Sequence, residues 1–252
     1  MIANFINHRR LLSRILLTLL PLCVWHSSLA SEAVRTLIVP VNEAKLSSQL
    51  AARITHINVK TGSKFSKGDT LIRFDCGLHQ AELNKSLAEL KSAQAKLSSN
   101  KKLRSLGSGS DLDLAIALSE VNKTKAQRAR ARELVKHCQV LAPFNGRVHE
   151  IFVNRFESVR QGDSLIDILD DKHLRLEMFV PSSWSSWLKI GDSFDVKIGE
   201  TGKHYKAKVN MIGARVDPVS QSIALYGEID NSSQDLLAGM SGTASFSQSA
   251  DQ

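Results

Sequence analysis

The chain carries little that would suit a catalyst. Its eight histidines are scattered, and none stands in an H-E-x-x-H or comparable metal-binding spacing. No G-x-S-x-G elbow occurs. Gly202-Lys203 lacks the upstream glycine of a phosphate loop, and Gly107-Ser108-Gly109 lacks a third glycine and a preceding strand. An enzyme is therefore not expected, nor a catalytic residue, a metal or another cofactor. Aromatic residues make up only 6% of the chain, and no basic run is interleaved with them. The net charge of +8 includes Arg9, Arg10 and Arg14, so residues 31–252 hold 30 basic against 25 acidic side chains. That balance implies no nucleic-acid partner.

Long apolar runs are also missing. The longest, Ile15 to Trp25, covers about eleven residues, short of the roughly twenty that span a bilayer. With His8 and the three arginines before it, and Ser28-Leu29-Ala30 after it, this run reads as a secretory signal over residues 1–30. An uncleaved anchor extended by Leu11 and Leu12 is the alternative. Cys23 follows a bulky Leu22, which argues against a lipoprotein cleavage box. Only Cys76 and Cys138 then remain, an even number for an oxidising compartment.

What is present is an internal repeat. Arg53-Ile54-Thr55-His56-Ile57-Asn58-Val59, continuing to Gly68-Asp69-Thr70-Leu71-Ile72, recurs 94 residues later as Arg147-Val148-His149-Glu150-Ile151-Phe152-Val153, continuing to Gly162-Asp163-Ser164-Leu165-Ile166. Seven of twenty positions are identical without a gap, too many for chance likeness between two strand-turn-strand segments. Alternating apolar residues broken by Gly-Asp turns predict short strands. Neither half can bury its apolar face alone, so the two are expected to form one β-sandwich.

Between the copies the period changes. Leu83, Leu87, Leu90 and Leu97 follow four- and three-residue steps, and Ala81, Ala88 and Ala95 add a small-residue stripe. After Gly107-Ser108-Gly109-Ser110, a second run carries Leu114, Leu118, Val121 and Val135, with Lys125, Arg128 and Arg132 between them. Ser110 is a candidate N-cap, and Asp111 and Asp113 suit a first helical turn. The pattern predicts an antiparallel coiled-coil hairpin with its tip at Gly107. Cys76 and Cys138 are equidistant from that tip, which sets them side by side at the base. A disulfide, free thiols and a Cys2His2 site with His79 and His137 all fit that placement; the disulfide is the expectation.

From Leu174 onward the pattern is β again. Residues 174–180, 194–198 and 224–229 alternate, separated by turns at Gly191-Asp192, Thr201-Gly202 and Asp217-Pro218. This predicts a small antiparallel barrel, with Trp184, Trp187 and Leu188 on a helical turn that plugs it.

A split β-repeat around a helical hairpin, followed by a small barrel, resembles the periplasmic adaptor (membrane fusion protein) family of RND efflux pumps and HlyD-type secretion systems. Leu141-Ala142-Pro143-Phe144-Asn145-Gly146 looks like its "APFDG" segment, with Asn145 for Asp. Val180-Pro181 and Leu188-Lys189-Ile190-Gly191-Asp192 look like its barrel entry. Ile212-Gly213-Ala214-Arg215-Val216-Asp217-Pro218 and Leu237-Ala238-Gly239-Met240 look like its last barrel strands. The family's tip motif is met by Leu103 and Ser110, with Ser99 where it has Arg.

The resemblance implies a fold that is mainly β, with a split lipoyl-like sandwich, a coiled-coil hairpin and a barrel. Its parts would be a first lipoyl half with an N-terminal strand (31–75), the hairpin (76–138), a second lipoyl half (139–170), the barrel (171–248) and a tail (249–252), with flexible joints near 75–77, 138–142 and 170–175. A lipoyl carrier is excluded, because Asp75-Cys76-Gly77 leads into the hairpin and offers no lysine to acylate. The resemblance further implies a homo-oligomeric ring in the periplasm, associated with the inner membrane. That ring would link an RND permease or ABC exporter to an outer-membrane channel of the TolC type. Channel docking is expected at Leu103, Gly107, Gly109, Ser110 and Asp111. The alternatives are an adaptor for type I protein secretion and a stand-alone coiled-coil scaffold.

Overall fold

The structure is a computed structural model that describes residues 32–230 and 235–247. The expected signal over 1–30 and the tail at 249–252 lie outside the described residues.

The repeat in the sequence is also the repeat in space. The first half contributes β2 (Glu43–Ser47), β3 (Ala52–Ile57), β4 (Lys64–Phe65) and β5 (Thr70–Phe74). The second contributes β6 (Gln139–Leu141), β7 (Gly146–Ile151), β8 (Ser158–Val159) and β9 (Ser164–Leu169). Two four-stranded sheets form, ordered β2-β9-β7-β4 and β6-β5-β3-β8. The offset of 94 maps the first sheet onto the second strand by strand. Each sheet therefore draws strands from both halves, and neither half is a sheet by itself. Buried residues come in matching pairs: Ile54 with Val148, Phe65 with Val159, Leu71 with Leu165 and Ile72 with Ile166 share one core. Each such side chain contributes about 1.5–3 kcal/mol on burial. The Gly-Asp turns repeat as well, with the Asp69 and Asp163 carboxylates accepting from the amides of Ser66 and Arg160 at 2.7 and 2.8 Å.

Six strands close a barrel: β1 (Glu32–Pro40), β10 (Leu174–Pro181), β11 (Ser193–Ile198), β12 (His204–Asp217), β13 (Ser222–Ile229) and β14 (Ser241–Phe246), in the order β1-β10-β13-β12-β11-β14. The first strand, expected beside the first lipoyl half, lies in the barrel between β10 and β14. Its partners are distant in the chain, so no local pattern marks them. Inward residues such as Ile38, Leu176, Met178, Val196 and Leu225 are fully buried. Trp184, on the 3-10 turn Ser182–Ser186, fills one end and meets Phe246 edge-on at 5.2 Å.

Helices α1 (Gly77–Ser105) and α2 (Asp111–Lys136) form the hairpin, about 44 and 39 Å long at 1.5 Å per residue. Their packed seam differs from the expected one. It follows unbroken four- and three-residue steps through Leu83, Ser86, Leu90, Ala93 and Leu97, and through Leu114, Ala117, Val121, Thr124, Arg128 and Ala131. Leu87 and Leu118 lie outside it, 41% and 49% exposed, and Ala81, Ala88 and Ala95 face solvent. Ser86 and Thr124 can occupy buried seam positions because their hydroxyls donate to carbonyls of their own helices, Leu83 and Glu120, at 2.8 and 2.9 Å.

Candidate functional site

The hairpin tip is built by its glycines and caps. Leu106 ends α1, and Gly107 follows with φ 78°, the left-handed conformation a residue without Cβ adopts most readily. The amides of Gly107 and Ser108 donate to the carbonyls of Arg104 and Leu103 at 2.9 and 3.0 Å, the paired bonds of a Schellman turn. A Cβ on Gly109 would lie 2.7 Å from the Arg104 backbone nitrogen, so the chain turns back only with glycine there. The Ser110 hydroxyl then accepts from the Leu112 amide at 3.1 Å and caps α2. Asp111 stands in the first turn, paired with Arg104, and the Asn100 side chain donates to the Asp113 carbonyl at 3.2 Å.

These contacts assign roles to the expected tip residues. Gly107, Gly109, Ser110 and Asp111 hold the turn. Leu103 is 46% exposed and offers apolar surface. Leu106, Leu112 and Ile116, which the sequence reading did not single out, are exposed at 54–68% and surround the same tip. A visible signal for them was apolar residues beside the glycine turn and off the seam. The tip can bind by apolar contact.

At the hairpin base Cys76 and Cys138 form a disulfide, with 5.9 Å between their Cα atoms and 62 residues between them in sequence. Bonded to each other, the sulfurs are not thiolate ligands, and the Cys2His2 arrangement with His79 and His137 does not arise. No group of three or more metal-ligating side chains occurs among the described residues. None of the described helices is long and apolar enough to cross a membrane.

Where the two sheets meet the barrel, the chain crosses twice and the crossings are tied together. Val41 donates to the His173 carbonyl and Asp170 to the Asn42 carbonyl, at 2.8 and 2.9 Å. The buried Asp170 carboxylate accepts from the amides of Lys172 and His173 and lies 2.8 Å from the His173 ring nitrogen. Burial alone would raise the Asp170 pKa, but the His173 ring, the two amides and Asn42 together hold it below the ordinary aspartate value. Arg147 adds an ion pair to Asp171 at 2.7 Å. The joint expected to be flexible near 170–175 is therefore braced.

Residues 174–250 match the family described as CusB-like, beta-barrel domain. The MacA–MexA chimera carrying the Pseudomonas aeruginosa MexA α-hairpin superposes with a TM-score of 0.77 at 21% identity, over 87% of this chain and 82% of that one. The chain thus shares the fold of membrane fusion proteins, and its barrel matches the CusB-like barrel family. The membrane fusion protein Spr0693 of Streptococcus pneumoniae R6 superposes with a TM-score of 0.74 at 17% identity, over 87% of this chain and all of that one. In sequence, the chain is 25% identical over 218 residues to the nodulation protein NolF of Rhizobium meliloti (strain 1021), covering 81% of this chain. It spans 59% of the length of NolF and 54% of that of an uncharacterized Haemophilus influenzae protein.

Proposed function

We propose that this chain is the periplasmic adaptor subunit of a tripartite RND-type efflux transporter, coupling an inner-membrane pump to an outer-membrane channel of the TolC type. The match of its barrel to the CusB-like barrel domain, in a chain that also projects a helical hairpin, carries this reading. The two interleaved sheets act as a lipoyl-like module, and the hairpin acts as a coiled-coil prong. Several copies form a ring, with the barrels toward the inner membrane and the hairpins toward the channel.

Docking uses the tip. Leu103 and Leu106 supply apolar contact, and Gly107, Gly109, Ser110 and Asp111 hold them in place. A surface this small gives low affinity per copy, so stable docking depends on several copies engaging together.

Photocrosslinkers placed in cells at Leu106 and at Phe179 on the barrel test this assignment. Tip adducts with an outer-membrane channel and barrel adducts with an RND permease are expected. An ABC exporter at the barrel would assign the chain to protein secretion instead. Absence of any membrane-protein adduct from both sites would leave a scaffold and refute the adaptor role.

A further inference from the structure

Within residues 31–252 the excess positive charge is confined to the hairpin. Residues 77–136 hold 12 basic and 6 acidic side chains, whereas the rest of 31–252 holds 18 basic and 19 acidic. Within the hairpin, Glu82, Glu89, Glu120 and Glu133 are paired with lysines of their own helices, and Asp111 is paired with Arg104. Among the described residues no ion pair engages the four lysines between 91 and 102, nor Lys125, Arg128 and Arg130.

The charge is also sided. Residues spaced by seven beside the seam share a flank. One flank carries Leu87, Gln94 and Lys101 of α1 with Leu118, Lys125 and Arg132 of α2. Its leucines are exposed, and its one carboxylate, Asp111, is held by Arg104. The other flank carries Glu82, Glu89, Asp113 and Glu120 with one cation, Lys96.

We infer that the Leu87–Leu118 flank is a docking surface for an acidic, partly apolar surface on another protein. The inference rests on the adaptor reading and names the chemistry of the partner. A second copy is a poor occupant. Its hairpin carries the same positive excess, and of its six carboxylates all but Asp113 are already engaged by cations of the same hairpin. Like charges brought together across an interface oppose association, whereas an acidic partner both steers and holds the hairpin. Exposed leucines set between the cations favour a grooved protein surface over a charged bilayer plane, against which only one side of a rod can lie.

The test places a photocrosslinker at Leu118 in the full chain in cells and maps the crosslinked residues by mass spectrometry. The expected product joins Leu118 to a segment of a different protein with an excess of Asp and Glu. The Lys101→Glu, Lys125→Glu double variant should lose about tenfold or more of that product, and replacing the mapped acids by Lys should restore it. Both substituted side chains are exposed, and intact folding is checked by circular dichroism and by the mobility shift of the disulfide. Adducts with the hairpin of a second copy or with lipid, yields indifferent to charge reversal, or no adduct would each overturn the inference. A channel adduct at Leu106 obtained alongside any of those results would leave the adaptor reading standing.

Discussion

Phe156 holds in the second half-repeat the backbone conformation that Gly62 holds in the first. The two are 94 residues apart, with φ values of 72° and 79°. Their amides donate to the carbonyls of Ile54 and Val148, themselves 94 apart, at 2.9 and 2.8 Å. Phe156 is 61% exposed, with the Arg155 guanidinium 4.5 Å from its ring centre. The left-handed conformation costs a residue with a Cβ about 1–2 kcal/mol.

Replacing Phe156 by Gly should therefore raise stability by about 0.5–1 kcal/mol, the gain being trimmed by the extra freedom of Gly in the unfolded chain. The reciprocal Gly62→Phe should lower it by about 1–2 kcal/mol. Urea midpoints measure both. A loss on Phe156→Gly would mean that the contact of the ring with Arg155 outweighs the backbone term.

The Cys76–Cys138 disulfide closes a 62-residue loop that contains the whole hairpin. In the loop-entropy account such a link stabilises by about 4 kcal/mol. Reduction, or Cys76→Ser, should lower the urea midpoint accordingly and retard the chain on a non-reducing gel. Reductant should leave the Cys76→Ser variant unchanged.

The Asp170 knot predicts a pH dependence with a definite sign. Its folded carboxyl titrates below the unfolded one, so its contribution is complete above the unfolded pKa of about 4 and is lost as pH falls through the folded pKa. Asp170→Ala would leave the amides of Lys172 and His173 without their acceptor, at about 1–3 kcal/mol each if they stay buried. Thermal melts from pH 7 down to pH 3 should show the wild type converging on the variant.

The seam can be tested by two leucines on one helix. Leu90 is 6% exposed and Leu87 41%. Leu90→Ala should cost about 2–5 kcal/mol, and Leu87→Ala well under half of that. Equal losses would restore the register in which Leu87 packs inward.

That register also shows what the sequence made legible. Four- and three-residue steps announced two helices, and the glycines at 107 and 109 marked their turn. The phase was harder to read. The real seam runs through Ser86, Ala93, Ala117, Thr124 and Ala131, whose small or polar side chains carry weak apolar signal, while exposed Leu87 and Leu118 carry a strong one. The half-repeats were legible because identical residues do the same work twice, as Leu71 and Leu165 do in one core. Membership of the first strand in the barrel was not, since Ile38 looks the same whether it packs on near or distant strands. At the tip, the residue types indicated a turn, but only coordinates show that Gly107, Gly109 and Ser110 build it while Leu106 and Leu112 stand beside it.

The placement of β1 between β10 and β14 nests the chain like brackets, with the hairpin inside the two sheets and the sheets inside the barrel. Assembly then runs from the inside outward, because contacts between near neighbours form before those that must close long loops. Residues 32–40 come early in the chain yet find Ser241–Phe246 last. Until then they wait as a bare strand edge, open to mispairing. The folding chain is thus most vulnerable at that edge until β14 arrives, and shielding it is the step at which a chaperone would matter most.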